Sequence, residues 1–364
     1  MGTARAVVAS RAVTRPLPWS FAALLVALAF AGVACGGESA SPAEGPGDDS
    51  FPAPDGSLLD TPPSDVAPEE SAAPYPVVLA HGFFGFDDFA NAGFFNYFYG
   101  VRDELTQRGY RVFTPTVDPF NDSGDRAAEL LVQVQRILVE TGSAKVNLIG
   151  HSQGGLDARA VASLRPDLVA SVTTYGSPST GLAIADALKG AAPWDPIRGV
   201  LDALVRVVAK PVYGGSVDEQ TSLADALDQL SKDGLTEFSA AYPEAPGVAY
   251  FSIAGRTDWQ AGGPECFPAD RPAFLAAYDR ELDSVDPFLA VAEAISDGGL
   301  FENLSNDGFV RVDEAKYGRF LGCVPADHLD QVGQLLGDSP GIGNDFDHIE
   351  FFSNLIDWLG AQGL

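Results

Sequence analysis

The run Lys145-Val146-Asn147-Leu148-Ile149-Gly150-His151-Ser152-Gln153-Gly154 constrains this chain more than any other. Its first half is short, apolar and partly β-branched, which reads as a buried strand, and the residues from Gly154 to about Leu164 read as a helix. Between them stands G-x-S-x-G, in the strand-then-helix context that gives the motif meaning. A chain passing from strand to helix in so few residues must turn sharply. That turn forces the central residue into a strained conformation, and glycines at 150 and 154 leave room for it. The serine hydroxyl is then held at the carboxyl edge of a sheet, where ligands bind in open α/β folds. The helix N-terminus adds backbone N–H groups able to stabilise an oxyanion.

The flanking sequence repeats the alternation. Pro76-Val77-Val78-Leu79-Ala80 is an apolar run stopped by His81-Gly82, and residues 97–108 have helical spacing up to Gly109. Residues 111–113 form a second strand. Residues 125–140 place Leu130, Leu131, Val134, Ile137 and Leu138 on one helix face, closed by Gly142. Residues 169–174 and 248–253 are further strands. Strands alternating with helices imply an α/β fold, a mostly parallel sheet covered on both faces. No internal repeat is visible.

The N-terminus is of another kind. Arg5, Arg11 and Arg15 precede the apolar run 21–33, and no acid occurs before Glu38. This is the pattern of a secretory signal, too short for a spanning helix. It ends in Gly32-Val33-Ala34-Cys35-Gly36, which resembles a bacterial lipoprotein cleavage box, so 1–34 is expected to be removed and Cys35 to carry lipid. Residues 35–74 are Gly, Ser, Pro, Ala and acid, unable to bury enough surface to offset their ordering entropy, and read as a disordered tether. Residues 75–364 make one domain. The formal charge is −28, and loss of three arginines with the signal takes it to −31. Such a balance excludes nucleic acid as a partner, since phosphate binding needs clustered Lys and Arg. With Cys35 lipidated, Cys266 and Cys323 form an even pair in an exported protein and are expected to be bridged.

A serine nucleophile needs a base and a group that orients the base. In this kind of fold the chain order is serine, acid, histidine. His81 and His151 precede or adjoin the serine, which leaves His328 and His348. His348 opens a C-terminal amphipathic helix and reads as a surface residue, whereas His328 lies in the loop Pro325-Ala326-Asp327-His328-Leu329-Asp330 and is the expected base. For the acid, Asp307 in the turn Asn306-Asp307-Gly308 stands out; Asp313, Asp327 and Asp330 are alternatives.

Taken together, the domain resembles the true lipases of the Pseudomonas and Burkholderia type, subfamilies I.1 and I.2, within the α/β-hydrolase fold. The matching pieces run from Tyr75-Pro76-Val77-Val78-Leu79-Ala80-His81-Gly82 through Gly150-His151-Ser152, Arg165-Pro166-Asp167-Leu168 and Asn306-Asp307-Gly308 to His328-Leu329-Asp330. The resemblance implies Ser152 as nucleophile, Asp307 as triad acid and His328 as base, with the N–H groups of Phe83 and Gln153 forming the oxyanion hole. It also implies a structural Ca2+ near the histidine, held by carboxylates of Asp283 and Asp330 and backbone carbonyls of Gln334 and Asp338; hard oxygen donors suit that ion. The activity implied is hydrolysis of triacylglycerol esters at a lipid–water interface, with a lipase-specific foldase as a possible partner. Carboxylesterase, phospholipase or acyltransferase activity on the same triad is the nearer alternative, and a non-catalytic surface lipoprotein the remote one. Two features depart from the family. Cys323 lies sixteen residues after Asp307 rather than close behind it, and the acidic tether is additional.

Two further stretches bear on substrate. Nine aromatics lie between His81 and Gly100, among them Phe83, Phe84, Phe86, Phe89, Phe94 and Phe95, and suggest an apolar acyl pocket. Residues 181–245 form an insertion in which 195–210 carries an apolar stripe, Ile197, Val200, Leu201, Leu204, Val205 and Val208. In the lipases it resembles, this segment is a helical lid that opens at a lipid surface.

Overall fold

The computed structural model describes residues 75–83, 85, 97–191, 221–257, 263–279, 283–287, 289–298, 304–334, 340 and 344–364. The signal segment, Cys35, the tether, Phe84 and the aromatics at 86–95, the stripe at 195–210 and Asp338 lie outside them.

Six strands form one sheet: β1 Val77–Ala80, β2 Val112–Phe113, β3 Val146–His151, β4 Val169–Tyr175, β5 Ala249–Gly255 and β6 Arg319–Val324, in spatial order β2-β1-β3-β4-β5-β6. Every pairing is parallel. In chain order the described helices are α1 Val101–Gln107, α2 Ser123–Thr141, α3 Gln153–Leu164, α4 Ala183–Ala191, α5 Leu223–Leu230, α6 Lys232–Ala241, α7 Ala290–Ser296, α8 Val312–Ala315 and α9 His348–Ala361. The strands are apolar on both faces because both are covered. Val78, Ala80, Leu148 and Val172 pack on one side with Ala127, Leu130 and Val134 of α2 and Leu156 and Val161 of α3. Val77, Leu79, Ile149 and Ile253 point the other way, into a core with Leu105 of α1 and Phe351, Phe352 and Leu355 of α9.

Chain order matters for function here. After β1 the chain adds β2 on one side, then returns to place β3 on the other, so the direction of sheet growth reverses between β1 and β3. The crevice at such a switch point is where open α/β sheets bind ligands. The carboxyl ends flanking it carry His81-Gly82-Phe83 and Ser152.

Three expectations change. The helix expected over 97–108 begins at Val101, because Gly100 takes a left-handed conformation (φ 69°) at its N-cap and Tyr97 and Phe98 turn into the core. His348 is buried, not on the surface; its Nε2 lies 2.8 Å from the Tyr99 carbonyl, joining the start of α9 to the residues before α1. β6 is an additional strand. It joins the sheet with a register shift and carries Gly322 at φ 133°, where a Cβ would stand 3.1 Å from the Cys266 carbonyl.

That close approach brings Cys323 to Cys266. The two form a buried disulfide with Cα atoms 5.0 Å apart across a separation of 57 residues. Closing a loop of that length in the unfolded chain stabilises the fold by about 4 kcal/mol. The double variant Cys266→Ala/Cys323→Ala is expected to lose about that much, read as a lower urea midpoint with a steeper slope, because the unfolded chain expands without the bridge.

Candidate active site

The turn between β3 and α3 has the strain its motif demands. Ser152 sits at φ 55°, ψ −131°, and is the one non-glycine residue with positive φ among the described residues. Gly150 and Gly154 are spatial necessities: a Cβ on Gly150 would lie 2.2 Å from the Gly154 carbonyl oxygen, and one on Gly154 would lie 2.1 Å from that of Ala80. The first turn of α3 is therefore pressed against the end of β1. Gly82 has the same role opposite, since a Cβ there would meet the Ser152 Cβ at 2.6 Å.

Ser152, His328 and Asp307 lie in one hydrogen-bonded series. Ser152 Oγ is 3.0 Å from His328 Nε2, and His328 Nδ1 is 2.8 Å from Asp307 Oδ2. Asp307 is fully buried, with Ser152 and His328 nearly so. Four donors hold its carboxylate: the N–H groups of Phe309 and Val310 on Oδ1, and His328 Nδ1–H and Gln331 Nε2–H on Oδ2. The turn is closed by Asn306 Oδ1, which accepts the Gly308 N–H, and the His328 N–H donates to the Asp307 carbonyl. Of the other acids weighed for this position, Asp313 is paired with Lys316 at 2.7 Å, while Asp327 and Asp330 belong to a separate cluster.

The backbone around the serine is equally constrained. The Gln153 peptide N–H, in a fully buried residue, donates to no described residue; a buried unpaired donor is costly unless something else satisfies it. The Ser152 carbonyl of the same peptide plane accepts the Gly155 N–H. Half-buried Phe83 follows Gly82, whose carbonyl lies 2.9 Å from His81 Nδ1. His81 Nε2 accepts the Val117 N–H at 3.1 Å, so Nδ1 carries the proton and donates to Gly82. A planar trans peptide points its N–H opposite its C=O, so this bond aims the Phe83 N–H. Burial and the neighbouring Arg126 charge push His81 down to about 3 and keep it neutral.

Arg126 was not legible as part of this arrangement. It is fully buried on α2 and donates Nη2–H to the His81 carbonyl and Nη1–H to the Asp118 carbonyl, both at 2.5 Å. Its charge is met by Asp157 of α3 at 2.7 Å. Burial pushes the Asp157 carboxyl up, and Arg126 pulls it back only in part. The available sequence signal is Asp157 itself, a carboxylate in a helix whose residues from Gly154 to Ala162 are otherwise buried and mostly small or apolar. His151 lies beside His328, their ring centroids 4.6 Å apart, with His151 Nδ1 2.7 Å from Tyr97 Oη. Burial and the facing His328 push His151 well below the ordinary histidine range.

A second polar group lies behind the histidine loop. One carboxylate oxygen from each of Asp283, Asp327 and Asp330, all buried, falls within 4.8 Å of the others. Asp327 joins the two sequence candidates Asp283 and Asp330. Burial, with Asp283 and Asp286 adding like charge, pushes its carboxyl up to about 7. Gln334 follows closely, its N–H donating to the Leu329 carbonyl at 3.1 Å. Among the described residues, no helix is long and apolar enough to cross a membrane.

Residues 75–230 match the family model of the α/β hydrolase fold. A triacylglycerol lipase of Vibrio cholerae is 36% identical over 269 residues, covering 72% of this chain and 81% of that protein. A triacylglycerol lipase of Burkholderia plantarii is 33% identical over 304 residues (76% and 84%), and one of Pseudomonas fragi 31% over 277 residues (72% and 88%). Among solved structures, the Staphylococcus hyicus lipase superposes with a TM-score of 0.53 at 17% identity, over 81% of this chain and 97% of that one, a likeness of fold.

The buried Arg126–Asp157 pair makes a direct prediction. Arg126→Met leaves Asp157 charged and alone in the interior, which costs about 3–5 kcal/mol in urea unfolding. Arg126→Met/Asp157→Leu removes both charges and is expected to recover much of that loss.

Proposed function

We propose, for a chain that belongs to the triacylglycerol lipases of the α/β-hydrolase family, that it cleaves carboxylic esters of triacylglycerols through an acyl-enzyme on Ser152. The observation that carries this mechanism is the continuous hydrogen-bonded series Ser152–His328–Asp307 at 3.0 and 2.8 Å. Ser152 Oγ gives its proton to His328 Nε2 and attacks the ester carbonyl. The carbonyl oxygen takes the negative charge and is held by the N–H groups of Phe83 and Gln153. Asp307 keeps the Nδ1–H tautomer and stabilises the imidazolium. His328 then protonates the departing alcohol, and activates the water that releases the fatty acid and restores Ser152.

The carboxylates of Asp283, Asp327 and Asp330 suit a hard divalent cation, since three buried acids side by side repel one another without one. Asp283 and Asp330, with the carbonyls of Gln334 and Asp338, would hold a structural Ca2+, and Asp327 adds negative charge to the same cradle. Bound there, the ion would supply the positive charge that lets these acids stay ionised. Asp327 and Asp330 flank His328, so the same residues pin the loop of the base.

The rest of the reading concerns place and access. The segment 1–34 directs export, lipidated Cys35 anchors the enzyme at the cell surface, and the tether 35–74 lets the domain reach a lipid–water interface. The insertion 181–245 serves as lid. A lipase-specific foldase is the remaining partner in this scheme.

Hydrolysis of tributyrin and triolein emulsions tests the reaction: Ser152→Ala is expected to lower kcat by about 10⁴–10⁶ and to abolish labelling by a fluorophosphonate. Labelling of the wild type without hydrolysis of either glyceride would discard the lipase and leave an esterase.

Calcium removal has a pH signature. Asp327 is raised above the ordinary carboxylate value, so the metal-free fold binds its proton more tightly than the unfolded chain does. Stability of chelated protein therefore falls as pH rises from about 4 towards about 7 and stays low above it. Added Ca2+ is expected to raise Tm more at pH 8 than at pH 5, with up to about 4 kcal/mol of stabilisation at a thousandfold excess over Kd.

A further inference from the structure

The motif assigns Gln153 a role through its backbone N–H, for which any side chain would serve. Its side chain is nevertheless fully buried and committed: Nε2–H donates to the Asn121 carbonyl at 2.8 Å, across 32 residues of sequence. Asn121 is itself held from two directions. Its N–H donates to Asp118 Oδ1 at 3.0 Å, in a turn where that oxygen also takes the Phe120 N–H. Its Oδ1 accepts the Ser222 N–H at 2.8 Å, immediately before α5. Thr221 Oγ1 donates to the other oxygen of Asp118, and the Ser123 N–H donates to Gln229 of α5 at 2.8 Å. Residues 118–123 thus form a buried junction, with the first turn of α3 on one side and residues 221–230 of the insertion on the other.

We infer that Asn121 is a positioning residue for the oxyanion hole, coupling the 221–230 part of the insertion to the donor Gln153. The coupling rests on the oxyanion role proposed above for the Gln153 N–H. An N–H stabilises a developing oxyanion only when it points at the place where the charge forms, and small misplacements are felt in the transition state more than in substrate binding. The Gln153 peptide has a strained residue before it and one side-chain tether after it. With the tether on a residue that also grips Ser222, displacement of the insertion reaches the donor directly.

The test uses the full chain with a soluble short-chain ester. Gln153→Met keeps the backbone N–H and nearly the volume but loses the donor to Asn121. Asn121→Ala loses the acceptor for Ser222, and Asn121→Asp keeps one. Gln153→Met and Asn121→Ala are each expected to lower kcat about tenfold with KM within twofold, less than the 10²–10³ that loss of a whole oxyanion donor costs. A boronic acid that forms a tetrahedral adduct should bind more weakly by the same factor. The double variant should be no worse than the poorer single one, since the two act through one link. Asn121→Asp should retain wild-type kcat. If Gln153→Met or Asn121→Ala keeps wild-type kcat and boronate affinity, whatever its Tm, or if their effects multiply, the coupling is wrong. Should Asn121→Ala not fold, Gln153→Met and Asn121→Asp carry the same decision. Ser152→Ala separates the two levels: an active Ser152→Ala overturns the serine-hydrolase reading, whereas an inactive one beside a fully active Gln153→Met overturns only the coupling.

Discussion

The contact on which the rest depends is the approach of the first turn of α3 to the end of β1. With no Cβ on Gly154 the helix backbone lies against the Ala80 carbonyl, and with none on Gly150 the strand passes under the same turn. That distance brings the serine of one strand end and the 81–83 segment of the other to opposite walls of one crevice. A side chain at either glycine would push the walls apart. The positive φ of Ser152 is the cost of the geometry, of the order of 1–3 kcal/mol, and it persists because two apolar layers over-determine the backbone around it. Topology and local strain thus act together: strand order chooses the crevice, and the glycines set its width.

Electrostatics then decides which of the groups near the crevice carries charge. Two histidine rings lie 4.6 Å apart, and two imidazolium ions at that distance would repel strongly. Burial keeps His151 neutral, and His81 too, so that in the proposed mechanism the positive charge on His328 would meet the Asp307 carboxylate rather than a second cation. Arg126 is the one guanidinium that donates to the 81–83 segment among the described residues, and Asp157 answers its charge. Among the described residues most acids are exposed or half-buried, and the buried ones are each tied to donors or to one another.

What could be read from the sequence was whatever is local or periodic. The strands at 77–80, 146–151 and 169–175 are short, largely apolar and β-branched runs, and the motif at 150–154 carries its own spacing. β6 escaped because Arg319 opens it and Gly322 interrupts it, and that glycine is explained only by Cys266 from another part of the chain. His348 looked like a surface residue from its neighbours Asp347 and Glu350. Its ring instead packs on Gly333, where a Cβ would stand 2.5 Å away. Arg126, Asn121 and Gln331 were silent because each acts on a partner distant in sequence: His81, Ser222 and Asp307. In the sequence Asp327 reads only as an alternative orienting acid, and its place beside Asp283 follows from a fold that sequence spacing does not encode.

The histidine loop shows why so many of these long-range contacts converge in one place. His328 arrives from a strand end through a loop, with only the short 3₁₀ turn Asp330–Val332 after it, yet it must hold two hydrogen bonds in opposite directions. Three restraints of different physics meet there. The disulfide ties the strand that feeds the loop, the Asp307 carbonyl takes the His328 N–H, and the Asp327 carboxylate accepts the N–H groups of Leu329, Asp330 and Asp286 while Asp283 accepts that of Asp327. The first acts through the unfolded chain, the second through the folded backbone, and the third through side-chain hydrogen bonds to the backbone. A loop held by any one of them would keep its path; the ring orientation needs the second and third together, because only those bracket the residue itself. Ser152 is positioned by the absence of side chains around it and His328 by an excess of restraints, and the 3.0 Å between them is where the two strategies meet.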